Sequence, residues 1–261
     1  MPGSGIELKS VSEIDLMRQA NQIVVAVHKE LQGLVKPGVT TMGLDKKAAT
    51  VIAMHSGATP AFLGYHGFPG VICASVDEQV VHGIPSDEIV LHEGAIISID
   101  VGVKFRGFIG DAAVTYSVGK VDDDAQKLLI ATRESLYKAI EQAHVGNRLS
   151  DIGHAVESYV VPRGYGVVTE YVGHGVGRQM HEEPQVANFG PPHRGPKIVA
   201  GMTLAIEPMI NEGTGKTRVL EDEWTVITED GRRSAHFEHS IAITENGPII
   251  LSDGLPDGLG N

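Results

Sequence analysis

Apolar residues recur along the chain first at helical spacing and then in short runs typical of strands. Ser10-Val-Ser-Glu13 has the form of a capping box, and Ile14, Met17, Val24, Val27, Leu31 and Leu34 follow it at helical intervals. Pro37-Gly38 ends that helix. Thr41 is placed to cap a second one, with Leu44, Ala48, Val51 and Ile52 on its inner face and Gly57 near its end. From residue 71 the pattern changes and predicts strands over 71–76, 96–103, 112–118, 203–206, 224–228 and 241–244. Helical periodicity returns over 123–143 and 150–160, with Pro162 and Gly164 just beyond.

This order contains a repeat. Gly94-Ala-Ile-Ile-Ser-Ile-Asp100 and Gly201-Met-Thr-Leu-Ala-Ile-Glu207 stand 107 residues apart. Pro37-Gly38-Val39 and Val145-Gly146-Asn147, each ahead of a helix, stand 108 apart. Each half reads helix, turn, helix, strands, with an acidic residue at the same place in the equivalent strand. The expectation is a single α+β domain over 1–261 built from two pseudo-symmetric halves, roughly 10–120 and 121–251. A pseudo-twofold of that kind sets Asp100 and Glu207 on facing strands beside a central cleft.

Composition narrows the function. Lys and Arg total 21 against 33 Asp and Glu, a net charge of −12, so the surface repels phosphate backbones and nucleic acid is excluded as a partner. Cys73 is the only cysteine, which excludes an intramolecular disulfide and a thiolate zinc site. The opening MPGSGIELKSVSEIDL has neither the basic start nor the apolar run of a signal peptide. No stretch approaches the ~18 apolar residues that span a bilayer. A cytoplasmic location without membrane partners is expected.

The carboxylates carry the chemistry. Asp100 and Asp111 flank Lys104-Phe-Arg-Gly107, which reads as a turn. A hairpin centred between Phe105 and Arg106 sets the two acids directly opposite, about 4.5–5.5 Å apart at Cβ. Ile97, Ile99, Val101, Ala112 and Val114 make that wall apolar. Two like charges there raise one pKa sharply unless a cation holds them; the plainer alternative is a pair of solvated hairpin-end aspartates. Glu207 before Pro208 and Glu238 in Ala-His-Phe-Glu-His-Ser lie among apolar residues, where a glutamate needs a metal or a salt-bridge partner. His174 sits between glycines in Tyr171-Val-Gly-His-Gly-Val-Gly, His181 follows seven residues later, and His82 stands in Val-Val-His-Gly-Ile-Pro at a strand end. His28, His55, His92, His144 and His154 are assigned to helix or loop surfaces. One imidazole with four carboxylates is a hard ligand set suited to Mn(II), Fe(II), Co(II) or Zn(II) in a shared site. Two metals roughly 3.5 Å apart can activate a bridging water and clamp both ends of a hydrolysis. Neither G-x-S-x-G nor H-E-x-x-H occurs.

The ordered series His82-Gly-Ile-Pro, Ser-Ile-Asp100, Gly-Asp111-Ala-Ala, Gly-His174-Gly-Val-Gly, His181-Glu-Glu-Pro, Ala-Ile-Glu207-Pro and Phe-Glu238-His resembles the type I methionine aminopeptidases of bacterial form. The resemblance runs from about residue 10 to residue 251, in the family's order. It implies the duplicated "pita-bread" fold, a curved antiparallel sheet core with helices outside. It implies two divalent ions (Co, Mn, Fe or Zn) held by Asp100, Asp111, His174, Glu207 and Glu238. Asp111 and Glu238 are then the bridging ligands, Asp100 chelates one ion, and His174 and Glu207 bind the other. A metal-bridging hydroxide is the implied nucleophile, Glu207 handles protons, and His82 and His181 bind the substrate backbone and the developing oxyanion.

By the same resemblance Tyr65, Phe68, Cys73 and Trp224 line the methionine pocket, with His66 and Met180 nearby and Phe62 at the rim. Core packing is the alternative for Trp224. Asp77 and Ser234 mark a candidate monovalent-cation site. The implied activity is removal of the initiator methionine from nascent polypeptides, near the ribosome, when the second residue is small, by a monomer. The alternatives are a proline-specific aminopeptidase or dipeptidase of the same fold, or an inactive pita-bread module that binds peptides. The first usually carries an extra N-terminal domain, for which the residues before Ser10 leave no room. The second loses metal ligands, whereas all five are present.

Overall fold

The computed structural model describes residues 5–259. Ser10 and Glu13 form the expected capping box, and α1 runs Val11–Gln32 with Met17, Ile23, Val24, Val27 and Leu31 buried along one face. The second helix, α2 (Thr41–Ala53), is capped one residue earlier than the sequence predicts. The Thr40 hydroxyl accepts from Gly43 N at 3.1 Å, while Thr41 turns inward and donates to Ser86 O. Strands β1 (Ala58–Pro60), β2 (Cys73–Val76), β3 (Gln79–Val81), β4 (Ile96–Phe105) and β5 (Phe108–Ser117) follow. Strand β2 starts at Cys73 rather than at residue 71. The amides of Val71 and Ile72 donate instead to the Asp45 carboxylate, at 2.7 and 3.1 Å.

The β4–β5 hairpin corrects the predicted register. Its turn is the two-residue pair Arg106-Gly107, both with positive φ (50° and 86°), and Phe105 pairs with Phe108. Two left-handed residues make the tight connection that matches the twist of the strands. The ladder is therefore displaced from the expected one: Asp100 faces Ala113, and Asp111 faces Gly102. The two aspartates are diagonal neighbours on one face, not direct partners, and small residues stand across from each.

Helix α1 lies against this hairpin so closely that a Cβ at Gly110 would come within 2.5 Å of the backbone of Ala20 and Asn21. The buried Asn21 fixes the contact chemically, because its Oδ1 accepts from Asp111 N at 3.3 Å and its Nδ2 donates to Met17 O at 3.0 Å. Gly110→Ala must push the helix off the sheet. Overpacking of this kind costs about 1–3 kcal/mol, and each kcal/mol lowers Tm by roughly 2–4 °C at this chain size. Thermal unfolding of the variant checks it; an unchanged Tm contradicts the packing described.

The remaining elements are α3 (Asp123–Ile140), α4 (Leu149–Val160), β6 (Gly166–Val167), β7 (Gly173–Gly175), β8 (Glu182–Val186), β9 (Thr203–Ile206), β10 (Met209–Asn211), β11 (Thr217–Val219), β12 (Val226–Thr228), β13 (Ser234–His236), β14 (His239–Thr244) and β15 (Gly247–Ile250). Asp122 caps α3 by accepting from Ala125 N at 2.8 Å. All strand pairs among the described residues are antiparallel. They form the orders β1-β4-β2 with β5 on β4, β13-β10-β6, β11-β12-β3 and β15-β14-β9-β7-β8. Backbone and hydroxyl bonds tie β5 to β14: Glu238 N donates to Ala113 O at 2.9 Å and Ser240 Oγ to Asp111 O at 2.7 Å. His28, expected on a surface, is fully buried beneath the hairpin. Its Nε2 donates to Ala112 O at 3.1 Å and its Nδ1 meets Tyr116 Oη at 2.9 Å, and burial lowers its pKa to about 4.

Candidate metal centre and substrate pocket

Asp100 from β4, Asp111 from β5, His174 from β7, Glu207 after β9 and Glu238 before β14 all line one cavity of about 240 Å³. Every other residue expected at the site lines it too: Phe62, Tyr65, His66, Phe68, Cys73, His82, Met180, His181 and Trp224. Asp111, His174 and Glu238 each offer one ligand atom, and these lie within 4.8 Å of one another. Asp100 Oδ1, Asp111 Oδ1 and Glu238 Oε1 are buried without a hydrogen-bond partner.

Histidine 174 decides what the cavity is built for. Its Nδ1 is 2.9 Å from Gly175 O, and a carbonyl only accepts, so Nδ1 carries the proton. Burial, then neighbouring His181, lowers its pKa to about 4, which leaves Nε2 as a bare lone pair. That lone pair sits 3.4 Å from Glu207 Oε1 and 3.8 Å from Asp111 Oδ2. Burial, reinforced by neighbouring carboxylates, pushes Asp100, Glu207 and Glu238 well above the usual carboxylate range, and burial carries Asp111 up to about 7. Among the described residues no Lys or Arg lines the cavity. Buried carboxylate oxygens left without a partner beside a bare imidazole lone pair make a donor set that fits divalent metal.

The neighbouring groups are arranged for binding. His82 holds a left-handed φ of 60° at the end of β3, with its ring edge-on to Tyr171 and Trp224 at 5.7 and 6.3 Å. Burial, then His181, lowers its pKa to about 4, so the ring is neutral and carries one N–H. His181 stacks against Tyr65, meets Tyr65 Oη through Nδ1 at 2.9 Å and lies 4.3 Å from the His174 ring. Trp224 precedes β12 instead of belonging to it, because the Asp222 carboxylate accepts from the amides of Trp224 and Thr225. Its ring packs edge-on against Phe68 at 5.1 Å, on the cavity wall. Cys73 faces Asp100 across the ladder, and burial, then Asp100, pushes its thiol up so that it stays protonated.

Two further residues bear on the site without a sequence prediction. His236 is buried with its Nε2 unpartnered, 3.5 Å from Glu207 Oε2. Its signal was its place two residues before Glu238. Asn188 donates to Glu207 O at 3.1 Å. At the candidate monovalent-cation site, Ser234 N donates to Asp77 O, and the Asp77 carboxylate accepts from Ile96 N and lies 3.4 Å from His92 Nε2.

Comparison with known proteins agrees with this geometry. The profile of metallopeptidase family M24 matches residues 15–245. Methionine aminopeptidase 1 of Bacillus subtilis is 52% identical over 244 residues, covering 94% of this chain and 98% of that protein. Methionine aminopeptidase 1 of Mycobacterium tuberculosis is 48% identical, covering 94% of each. The crystal structure of methionine aminopeptidase from Thermotoga maritima superposes with a TM-score of 0.93 at 45% identity, over 95% of this chain and 99% of that one. The prolidase from Pyrococcus horikoshii OT3, at 23% identity and a TM-score of 0.75 over 94% of this chain and 63% of that one, shares the pita-bread fold alone. The chain belongs to metallopeptidase family M24 and, within it, to the bacterial methionine aminopeptidases.

Proposed function

We propose that the chain removes the N-terminal methionine of polypeptides whose second residue is small, using two divalent ions held by Asp100, Asp111, His174, Glu207 and Glu238. The observation that carries this reading is the His174 lone pair facing Glu207 and Asp111 in a cavity that no Lys or Arg lines among the described residues. Asp111 and Glu238 would be shared between the ions, Asp100 would complete the set at one of them, and His174 and Glu207 would complete it at the other. When bound, such ions supply Lewis acidity toward a carbonyl oxygen and a water of lowered pKa. Glu207, whose carboxylate faces the cavity 3.4 Å from His174 Nε2, takes and returns the proton that the hydrolysis moves. His82 and His181 donate to the substrate backbone and to the oxygen on which charge develops. Tyr65, Phe68, Cys73 and Trp224 grip the methionine side chain, a thioether suited to aromatic faces. The whole of 1–261 acts as one catalytic unit of two related halves. It works as a cytoplasmic monomer on nascent chains near the ribosome, and among its described residues no helix is long and apolar enough to cross a membrane.

Selectivity for the second residue tests the reading. That residue is held beside the carboxylates and His82, where a long side chain collides with the wall. Misplaced heavy atoms in a packed site cost about 1–3 kcal/mol, or roughly 10- to 200-fold. Met-Ala-Ser is expected to be cleaved at least that much faster than Met-Lys-Ser or Met-Leu-Ser, by chromatographic assay of released methionine. Equal rates contradict the assigned substrate class while leaving the metal ligands untouched.

A further inference from the structure

Two residues of the site, Met180 and His181, sit on the connection between β7 and β8, which is neither helix nor strand. The first residue after it, Glu182, anchors that connection. Its Oε1 accepts from the amides of Arg178 and Gln179, at 2.7 and 3.0 Å, so one carboxylate oxygen folds the segment back on itself. Its Oε2 accepts from Lys9 Nζ at 2.7 Å.

Lys9 comes from the segment ahead of α1, 173 positions away, yet its side chain is 0% exposed. Its amide is also tied down, donating to Gly201 O at 2.7 Å. Glu7 Oε2 lies 3.3 Å from the same ammonium. A lysine is almost never buried whole without a reason, since its charge must be repaid by close partners. Glu182 is the partner that does so from the protein interior, being only 12% exposed against 54% for Glu7.

We infer that Lys9 is a positioning residue for His181: through Glu182 it sets the backbone from which that imidazole reaches the substrate. The inference rests on the reading of His181 given above. The Tyr65 hydroxyl steers the His181 ring from one side, and the Lys9–Glu182 pair fixes where the ring starts. Without the ammonium, Glu182 keeps its two amide donors but loses its tie to the segment ahead of α1, leaving Ile109 N on Gly177 O (2.8 Å) and Arg178 on Glu13 (3.0 Å) among the segment's outside anchors. Loss of about 1 Å in a donor's placement costs up to roughly 10²-fold in rate.

The test is a double-mutant cycle on the metal-loaded enzyme with Met-Ala-Ser, using Lys9→Met, Lys9→Arg, His181→Ala and the Lys9→Met/His181→Ala pair. Lys9→Met is expected to retain its metal and to lower kcat roughly 10- to 100-fold, with Lys9→Arg recovering part of the loss. In the His181→Ala background, Lys9→Met is expected to cost less than about twofold more, since the residue it positions is gone. A purely structural lysine lowers Tm but leaves kcat of the folded, metal-loaded protein unchanged, and that result overturns the inference. So does an equal penalty in both backgrounds. A silent His181→Ala overturns the role given to His181 itself and is read from that variant alone. Should Lys9→Met fail to fold, Glu182→Gln carries the same cycle, because its remaining oxygen still accepts from Arg178 and Gln179.

Discussion

Glu238→Gln and Asp111→Asn are each expected to abolish methionine release while leaving the fold intact. Both carboxylates are buried, and each has an oxygen with no partner in the protein. An amide keeps the shape but replaces a negative ligand atom by a weaker donor or an N–H, so binding of the ions falls. A Lewis-acid contribution of several kcal/mol corresponds to about 10³-fold or more in rate at 1.36 kcal/mol per decade. Stability moves the other way. In the metal-free protein burial, then the neighbouring carboxylates, penalises charge on Glu238, so an amide that never ionises removes that penalty. Metal-free Glu238→Gln is therefore expected to unfold at or above the temperature of metal-free wild type. Elemental analysis, turnover at saturating metal and a thermal melt check the three parts. A variant that keeps wild-type kcat contradicts the shared-ligand role, and one that melts lower without metal marks Glu238 as structural.

His82→Ala and His181→Ala are expected to keep their metal and lose roughly 10²- to 10³-fold in kcat/KM, the scale for removing one oxyanion donor. Both rings are held neutral by burial, His82 with a pKa of about 4, and both line the cavity beside the carboxylates. A neutral imidazole still donates one N–H to a developing charge, and aromatic edges hold His82 in a strained backbone conformation. A strained residue persists only where its surroundings over-determine it, which fits a donor aimed at a fixed point. Elemental analysis and kinetics on both variants check this. If either variant arrives without metal, that histidine is a ligand and the division of roles is contradicted.

Local signals were legible and long-range ones were not. The Ser10 capping box and the buried face of α1 depend on residues three or four apart, so the sequence displays them directly. That the acids and histidines gather in one cavity was legible from the ordered family motifs and not from the residues singly, since each acid in an apolar strand left a salt bridge or solvation open and each lone histidine a structural role. The hairpin register was not, because it turns on Arg106, a residue with no outward mark of a left-handed conformation. His28 was assigned to a surface although it stands on the same helical face as Val24 and Leu31, an apolar neighbourhood that marks burial. His236 has no mark in sequence beyond its place near Glu238. Lys9 and Glu182 carry nothing in sequence that pairs them, since only the folded chain closes the distance between them.

The proposed five-residue centre makes methionine release depend on bound divalent metal. The direct measurement strips the protein of metal and titrates it with Mn(II) or Co(II), recording heat of binding and release of methionine from Met-Ala-Ser on the same samples. Activity absent at the start and rising with metal bound in wild type, with no such rise in Glu238→Gln, is the predicted result. Full methionine release from the stripped protein, or metal-dependent release undiminished in Glu238→Gln, contradicts it.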